Sequence, residues 1–246
     1  MDGYLNLGRD LVLNHFASKD CEGNIPYMYL DTGGKVTIGI GHLLTLEYAR
    51  TRSFIFRKTG MTATPDQVAA EYTKIQNLVK LIGKAAERFE PHTELILNRG
   101  EVEQIFDEDI THKRDENHNE GKTLTLKRIL PDIESYPWSA RLALLDLVFN
   151  GGLRTKTPLF IAAKNREWGK AAKLCYRSNV GKHRNDQTKA FFQWAAMQKS
   201  VLKVWDETLK TRPRYLLALA LFPGAAPLAP LGLGTLVRPR VEAPAR

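Results

Sequence analysis

The chain has 246 residues, 43% of them hydrophobic and 26% charged, ordinary globular values that exclude a wholly disordered, collagen-like or polytopic membrane chain. Lys and Arg outnumber Asp and Glu by 36 to 27, a net charge of +9, which suits an anionic partner without choosing one. Only Cys21 and Cys175 are present, too few for a disulfide-dense scaffold or a four-thiolate zinc site. Two reduced thiols are expected, with a single bridge between them as the alternative.

In chain order, Leu7, Leu11 and Phe16 recur at helical spacing, so a helix is expected over Leu5–Phe16, leading into Asp20-Cys21-Glu22-Gly23 with Gly23 as its stop. Tyr27–Leu30 and Lys35–Ile40 alternate around the Gly-rich Asp31–Gly34 and predict a hairpin. Period two puts Met28, Leu30, Val36, Ile38 and Ile40 on a core face, and Tyr27, Tyr29, Asp31, Lys35 and Thr37 on a wet or functional one. Thr64-Pro65-Asp66-Gln67 is a capping box with proline at the first helical position. It predicts a helix from Pro65 to about Glu87 that buries Val68, Tyr72, Ile75, Val79 and Ile82.

Asn98 caps a helix running to about His112. Trp138–Phe149 is apolar nearly all round and ends at Asn150-Gly151-Gly152, the pattern of a central buried helix. Shorter helices are expected at Thr157-Pro158 and over Glu167–Arg177. A longer one should span Asn185–Leu209, carrying Phe191, Phe192, Trp194, Leu202 and Trp205.

From Lys210 onward six bases face one acid. The tail therefore holds most of the net charge, which argues against a nucleic-acid partner for the body. Tyr215–Val237 carries no charge, but Pro223, Pro227, Pro230, Gly224, Gly232 and Gly234 interrupt it. It reads as a flexible appendage, with membrane contact as the alternative. Division into a body, 1–211, and a tail, 212–246, follows.

Several motifs fail. Asp115, Asn117 and Asn119 suggest a calcium loop, but Gly121 comes late and Leu126 stands where a glutamate is required. The histidines show no zinc spacing, and Gly39-Ile40-Gly41 lacks the rest of a phosphate loop. What remains is Glu22 at the end of the first helix, Asp31 at the hairpin tip and Thr37 on Asp31's face. Gly39 and Gly41 extend that face without side chains, where an extended substrate could approach the backbone. Two carboxyls flanking a cleft are what glycoside hydrolysis needs, although acids at a helix end and a turn are more often simply exposed.

Glu22-Gly23, Tyr29-Leu30-Asp31-Thr32, Gly34 and Thr37-Ile38-Gly39-Ile40-Gly41-His42-Leu43-Leu44-Thr45 closely resemble the catalytic segment of phage-type lysozymes, the muramidases of T-even phages and their relatives (glycoside hydrolase family 24). The resemblance resumes at Asn98–Ile110, Ser139–Gly152 and Thr157–Phe192. It implies an α+β, lysozyme-like fold: a small hairpin-bearing N-terminal lobe joined by a helix to a larger all-helical lobe. It also implies peptidoglycan as substrate, no cofactor, no metal and a monomer. Glu22 matches the family's general acid, Asp31 its second carboxylate and Thr37 the hydroxyl beside the attacking water. Asn150 matches a polar cleft-lining position, His42 and Asp109 a structural pair, and Arg184 an arginine behind the acid; Tyr29, Gly39 and Gly41, on the strand face beside Asp31, are expected to bind substrate with Asn150.

This sequence departs from the pattern in two places. Residues 46–97 form an enlarged insert, expected to reshape the small lobe or the cleft rim. Cys21 stands where relatives often have aspartate, so Arg184 lacks its usual partner, with Asp20 a conjectural substitute. No export signal is visible because Asp2, Arg9 and Asp10 interrupt Met1–Leu13. A muramidase of this kind is expected to be made in the bacterial or phage-host cytoplasm and to reach the periplasmic wall through a holin-type hole or a secretion machine. In the second case an immunity protein would accompany it. A lytic transglycosylase of the same fold and a cationic membrane-disrupting protein acting through its tail remain the alternatives.

Overall fold

Caps and left-handed residues set where the elements begin and end in the computed structural model, which describes residues 4–18, 21–111, 122–151, 153–178 and 180–211. The first helix, α1 (Arg9–Phe16), starts later than its apolar spacing predicts. Leu5 and Asn6 both take φ of 55°, which ends any helix there, and extended Gly8 occupies the cap position. Leu11 is consequently exposed, while Val12, Leu13 and Phe16 are buried. The helix also stops at Phe16, so Glu22 lies on the following turn and not on a helix end.

Strands β1 (Ile25–Leu30), β2 (Val36–Gly39) and β3 (His42–Leu43) form an antiparallel sheet in that order, with Tyr29 opposite Thr37 and Ile38 opposite His42. The core face is as the alternation requires: Met28, Leu30, Val36, Ile38 and Ile40 are all buried. The other face is not simply wet, because Tyr27 and Thr37 are buried too. Arg57 of the insert lies over the Tyr27 ring.

Within the insert, α2 (Leu46–Arg50) leads to β4 (Phe54–Phe56), which pairs with β5 (Leu95–Leu97) in a second antiparallel sheet. Between them runs α3 (Pro65–Gln76), started by the Thr64–Gln67 capping box. This helix ends well short of the expected Glu87. Asn77 caps it, Leu78 leaves helical geometry, and three single 3-10 turns follow at Val79–Leu81, Ala86–Arg88 and Glu90–His92. Val68 and Ile75 are buried and Tyr72 half-buried, but Val79 and Ile82, past the break, are exposed.

The rest is helical: α4 (Arg99–Thr111), α5 (Lys122–Ile129), α6 (Trp138–Phe149), α7 (Pro158–Lys164), α8 (Trp168–Leu174) and α9 (Lys182–Thr211). Asn98 Oδ1 accepts the Glu101 amide at 2.9 Å and so caps α4. That helix touches β2, β3 and α5. The α8 helix is shorter than Glu167–Arg177 because Asn185 holds the Arg177 backbone through its N–H and C=O at 3.0 and 2.8 Å, turning the arginine inward. Helix α9 overruns Asn185–Leu209 at both ends. An aromatic seam locks three helices: Phe16 of α1 lies 4.6 Å from Phe149 of α6 and 5.7 Å from Phe106 of α4, centroid to centroid.

The architecture mixes helices with two small antiparallel sheets, compatible with α+β, with the strands confined to the first hundred residues and helices alone after them among the described residues. Cys21 and Cys175 are unpaired. Leu126, the residue that spoils the calcium pattern, is fully buried. No helix among the described residues is long and apolar enough to cross a membrane. The expectations for Asp20, for the calcium-pattern residues Asp115 to Gly121, for the Leu202 and Trp205 side chains and for the tail lie outside what is described.

One buried acid ties the insert together. Glu71 on α3 accepts the Glu94 and Leu95 amides at 2.8 and 2.9 Å, and burial pushes its pKa up against the pull of those two bonds. Glu71→Ala would strand both amides, at about 1–3 kcal/mol each. Urea unfolding should show a loss of at least about 2 kcal/mol, and Glu71→Gln, which keeps one acceptor, a smaller loss.

Candidate active site

Glu22 is presented by a tight turn. Its amide donates to the Phe16 carbonyl at 3.1 Å, the Cys21 and Gly23 amides both reach Ser18 O at 3.0 Å, and Gly23 closes the turn at φ 73°. The carboxylate therefore points at α9, where Arg184 Nη1 donates to Oε1 at 2.5 Å. The other oxygen, Oε2, sits against Gly41. A Cβ on Gly41 would fall 2.7 Å from it, and the residue's φ of 69° already favours glycine.

Behind Arg184 stands Asp146, fully buried in the largely apolar α6. Its Oδ1 accepts Arg184 Nε at 2.7 Å, and its Oδ2 accepts Arg177 Nη2 at 2.6 Å and the Thr188 hydroxyl at 2.9 Å. His15 Nε2 lies 3.4 Å from Oδ1. A charge this deep is tolerated only when paired and hydrogen-bonded. Burial works against the Asp146 anion, but the His15 hydrogen bond and the Arg184 and Arg177 charges outweigh it and hold the carboxyl well below the usual range. His15 answers in the opposite sense: burial disfavours its cation, yet hydrogen bonds to Asp146 and Cys21 push its pKa up to about 9.

Asp31 is partly exposed at the hairpin tip, its Oδ1 accepting the Gly33 and Lys35 amides, each at 2.8 Å. Burial raises the Tyr29 phenol's pKa, and the charges of both Glu22 and Asp31 raise it further, so the two carboxyls act on one hydroxyl. Thr37 is only 2% exposed, and its hydroxyl donates to Lys35 O at 3.2 Å. Gly39 takes φ of 64°, and a Cβ there would meet Val102 Cγ1 of α4 at 3.3 Å, so the missing side chain lets α4 lie close to the sheet. His42, buried, lies with Nδ1 3.1 Å from Asp109 Oδ2 and so joins β3 to α4. Asn150 turns back onto its own helix, its side-chain amide donating to Asp146 O at 3.1 Å.

A pocket of about 370 Å³ opens beside Glu22, lined also by Ala17, Gly23, Asn24, Ile25, Tyr29, Ala86 and Glu87. Chain positions far apart thus meet at one acid. His15 Nε2, Cys21 Sγ and Asp146 Oδ1 lie within 4.8 Å of one another, as metal ligands would. Two guanidiniums already neutralise that carboxylate and would repel a cation, so the trio is better read as part of the ion-pair network.

The sequence missed Asp146, His15, Arg177, Thr188, Ala86 and Glu87. For Asp146 a signal existed, an acid set between Leu145 and Leu147 in a helix that has no wet face. It supplies the partner that Arg184 lacked when only Cys21 and Asp20 were considered. No protein-family model and no curated protein matches this sequence.

Two measurements probe the site. A histidine whose folded pKa is raised contributes stability that is full below its ordinary value and lost as pH climbs through the folded one. Stability should accordingly fall between pH about 6.5 and about 9, by a few kcal/mol at most. His15→Gln should flatten that slope in urea titrations at several pH values. Gly41→Ala should cost about 1–3 kcal/mol from backbone strain and displace Glu22, visible as a lowered melting temperature and a shifted carboxylate in a crystal structure.

Proposed function

We propose that this protein is a peptidoglycan hydrolase, a muramidase that cuts the β-1,4 bond between N-acetylmuramic acid and N-acetylglucosamine through Glu22 and Asp31. The observation that carries the reading is the Glu22 carboxyl itself. It lines an open pocket together with Tyr29 and is gripped on one oxygen by Arg184. The resemblance of residues 22–45 to phage-type lysozymes supports the same assignment, and with it a lysozyme-like arrangement. The two sheets and the insert would form the small lobe, α4 the connection and α5–α9 the helical lobe.

In this mechanism Glu22 is the general acid. Arg184 offers only donors to Oε1, so the transferable proton belongs on Oε2, the oxygen next to Gly41. The proton passes to the glycosidic oxygen as the bond to the anomeric carbon breaks. Asp31 draws a proton from a water that attacks the opposite face, which needs the carboxyls about 6.5–9.5 Å apart. The hydroxyl of Thr37 would steady that water.

One observation favours a second reading, lytic transglycosylation. Thr37 is buried with its hydroxyl on a carbonyl, and Asp31 Oδ1 holds two turn amides, so both candidate water-directing groups have other work. In that case the muramic acid's own 6-hydroxyl attacks and no water is consumed.

Digestion of purified sacculi tests both. Release of new reducing ends carrying one added water supports hydrolysis, an anhydro-muramoyl end supports transglycosylation, and no solubilisation at all overturns the enzymatic reading. Glu22→Gln should lower the rate at least about a thousandfold, near 4 kcal/mol in the barrier, with the melting temperature little changed.

A further inference from the structure

The insert reaches the candidate site by being pinned to the hairpin at three points. Ile82 packs on the hairpin tip, where a Cβ on Gly34 would come within 3.0 Å of its Cδ1. Phe89 is fully buried with its ring 6.4 Å from that of Tyr29. Arg57 bonds Glu90 at 2.7 Å and Thr93 at 3.1 Å while lying over the Tyr27 ring. Between the first two pins the chain passes the mouth of the pocket that holds Glu22, and Ala86 and Glu87 become its far wall.

Glu87 and Asn24 line the same pocket, and among the described residues no hydrogen bond or ion pair engages either side chain. Planar carboxylate and amide groups suit the paired hydroxyls of a pyranose, the Tyr29 ring offers a face for its C–H groups, and Ala17, Ile25 and Ala86 offer apolar surface for an acetamido methyl. The volume, about 370 Å³, lies near the small end of ligand sites, about 300–1,000 Å³. It suits one sugar unit and not an extended strand.

We propose that the insert builds a sugar subsite against Glu22, in which Asn24, Ala86 and Glu87 hold one N-acetylhexosamine unit of the glycan next to the bond to be cut. The inference rests on the glycosidase reading for its place in the reaction, but the binding it asserts can be measured without turnover. Glu87 and Ala86 are specificity-determining residues here, acting on how the chain is seated and not on proton transfer.

The experiment uses the full-length chain with Glu22→Gln as background and a chitin pentasaccharide as probe, followed by calorimetry and by NMR. Glu87→Ala and Ala86→Trp, the second filling the pocket, should each weaken binding by about tenfold or more. In the parent enzyme the same changes should raise KM on soluble wall fragments with kcat held within a few-fold. Glu87 is exposed, so its variant keeps the test open if Ala86→Trp fails to fold. Absent pentasaccharide binding, or binding within about twofold of the parent in Glu87→Ala and in any folded Ala86→Trp, overturns the subsite. If the sugar binds through these residues while sacculi stay intact, the subsite stands and the glycosidase reading falls.

Discussion

Everything around the candidate acid depends on one buried carboxylate. Asp146 sits with no solvent exposure in the middle of an apolar helix, and it is paired on both oxygens, by Arg184 on one and by Arg177 and Thr188 on the other. Arg184 then reaches past it to Glu22. Two guanidiniums and two carboxylates alternate along this line, so each charge is neutralised by a neighbour and the turn after α1 is tied to α6 and α9 at once.

Such networks are weak evidence for stability, because desolvating the ions costs about as much as their attraction returns. What they fix is position. Removing one partner would leave the others buried and uncompensated, so the arrangement has few alternatives within reach of the same side chains. The glycines act in the same direction by sterics. Gly39 lets α4 come close to the sheet at Val102, and Gly41 leaves the Glu22 carboxylate room. The first sets the distance between sheet and connecting helix, and the second sets where the acid can stand.

Local signals of short range were legible in the sequence. The Thr64 and Thr157 caps, the Asn98 cap, the hairpin about Asp31–Gly34 and the whole of α6 follow from residue types at fixed offsets. Glu22, Asp31, His42, Asp109 and Arg184 could be singled out because they stand in a specific string of motifs. What could not be read depended on partners distant in sequence. The helix expected over Pro65–Glu87 had acceptable spacing past Gln76, but the chain leaves helical geometry at Leu78 and carries Ile82 to Gly34 and Phe89 to Tyr29 of the hairpin. Of the face expected to be wet or functional, Tyr27 and Thr37 are not wet, and for Tyr27 the covering group is Arg57, from a part of the chain that no periodicity points to.

The central claim, that Asp146 holds Glu22 in place through Arg184, is tested most directly by a double-mutant cycle on unfolding free energy between Asp146→Asn and Glu22→Gln. Members of one ion-pair network couple by about 0.5–3 kcal/mol, whereas independent sites add to within about 0.5 kcal/mol. The account predicts a coupling of at least about 1 kcal/mol, with the Glu22 change costing more once Arg184 has lost its buried partner. Additivity within error would contradict it.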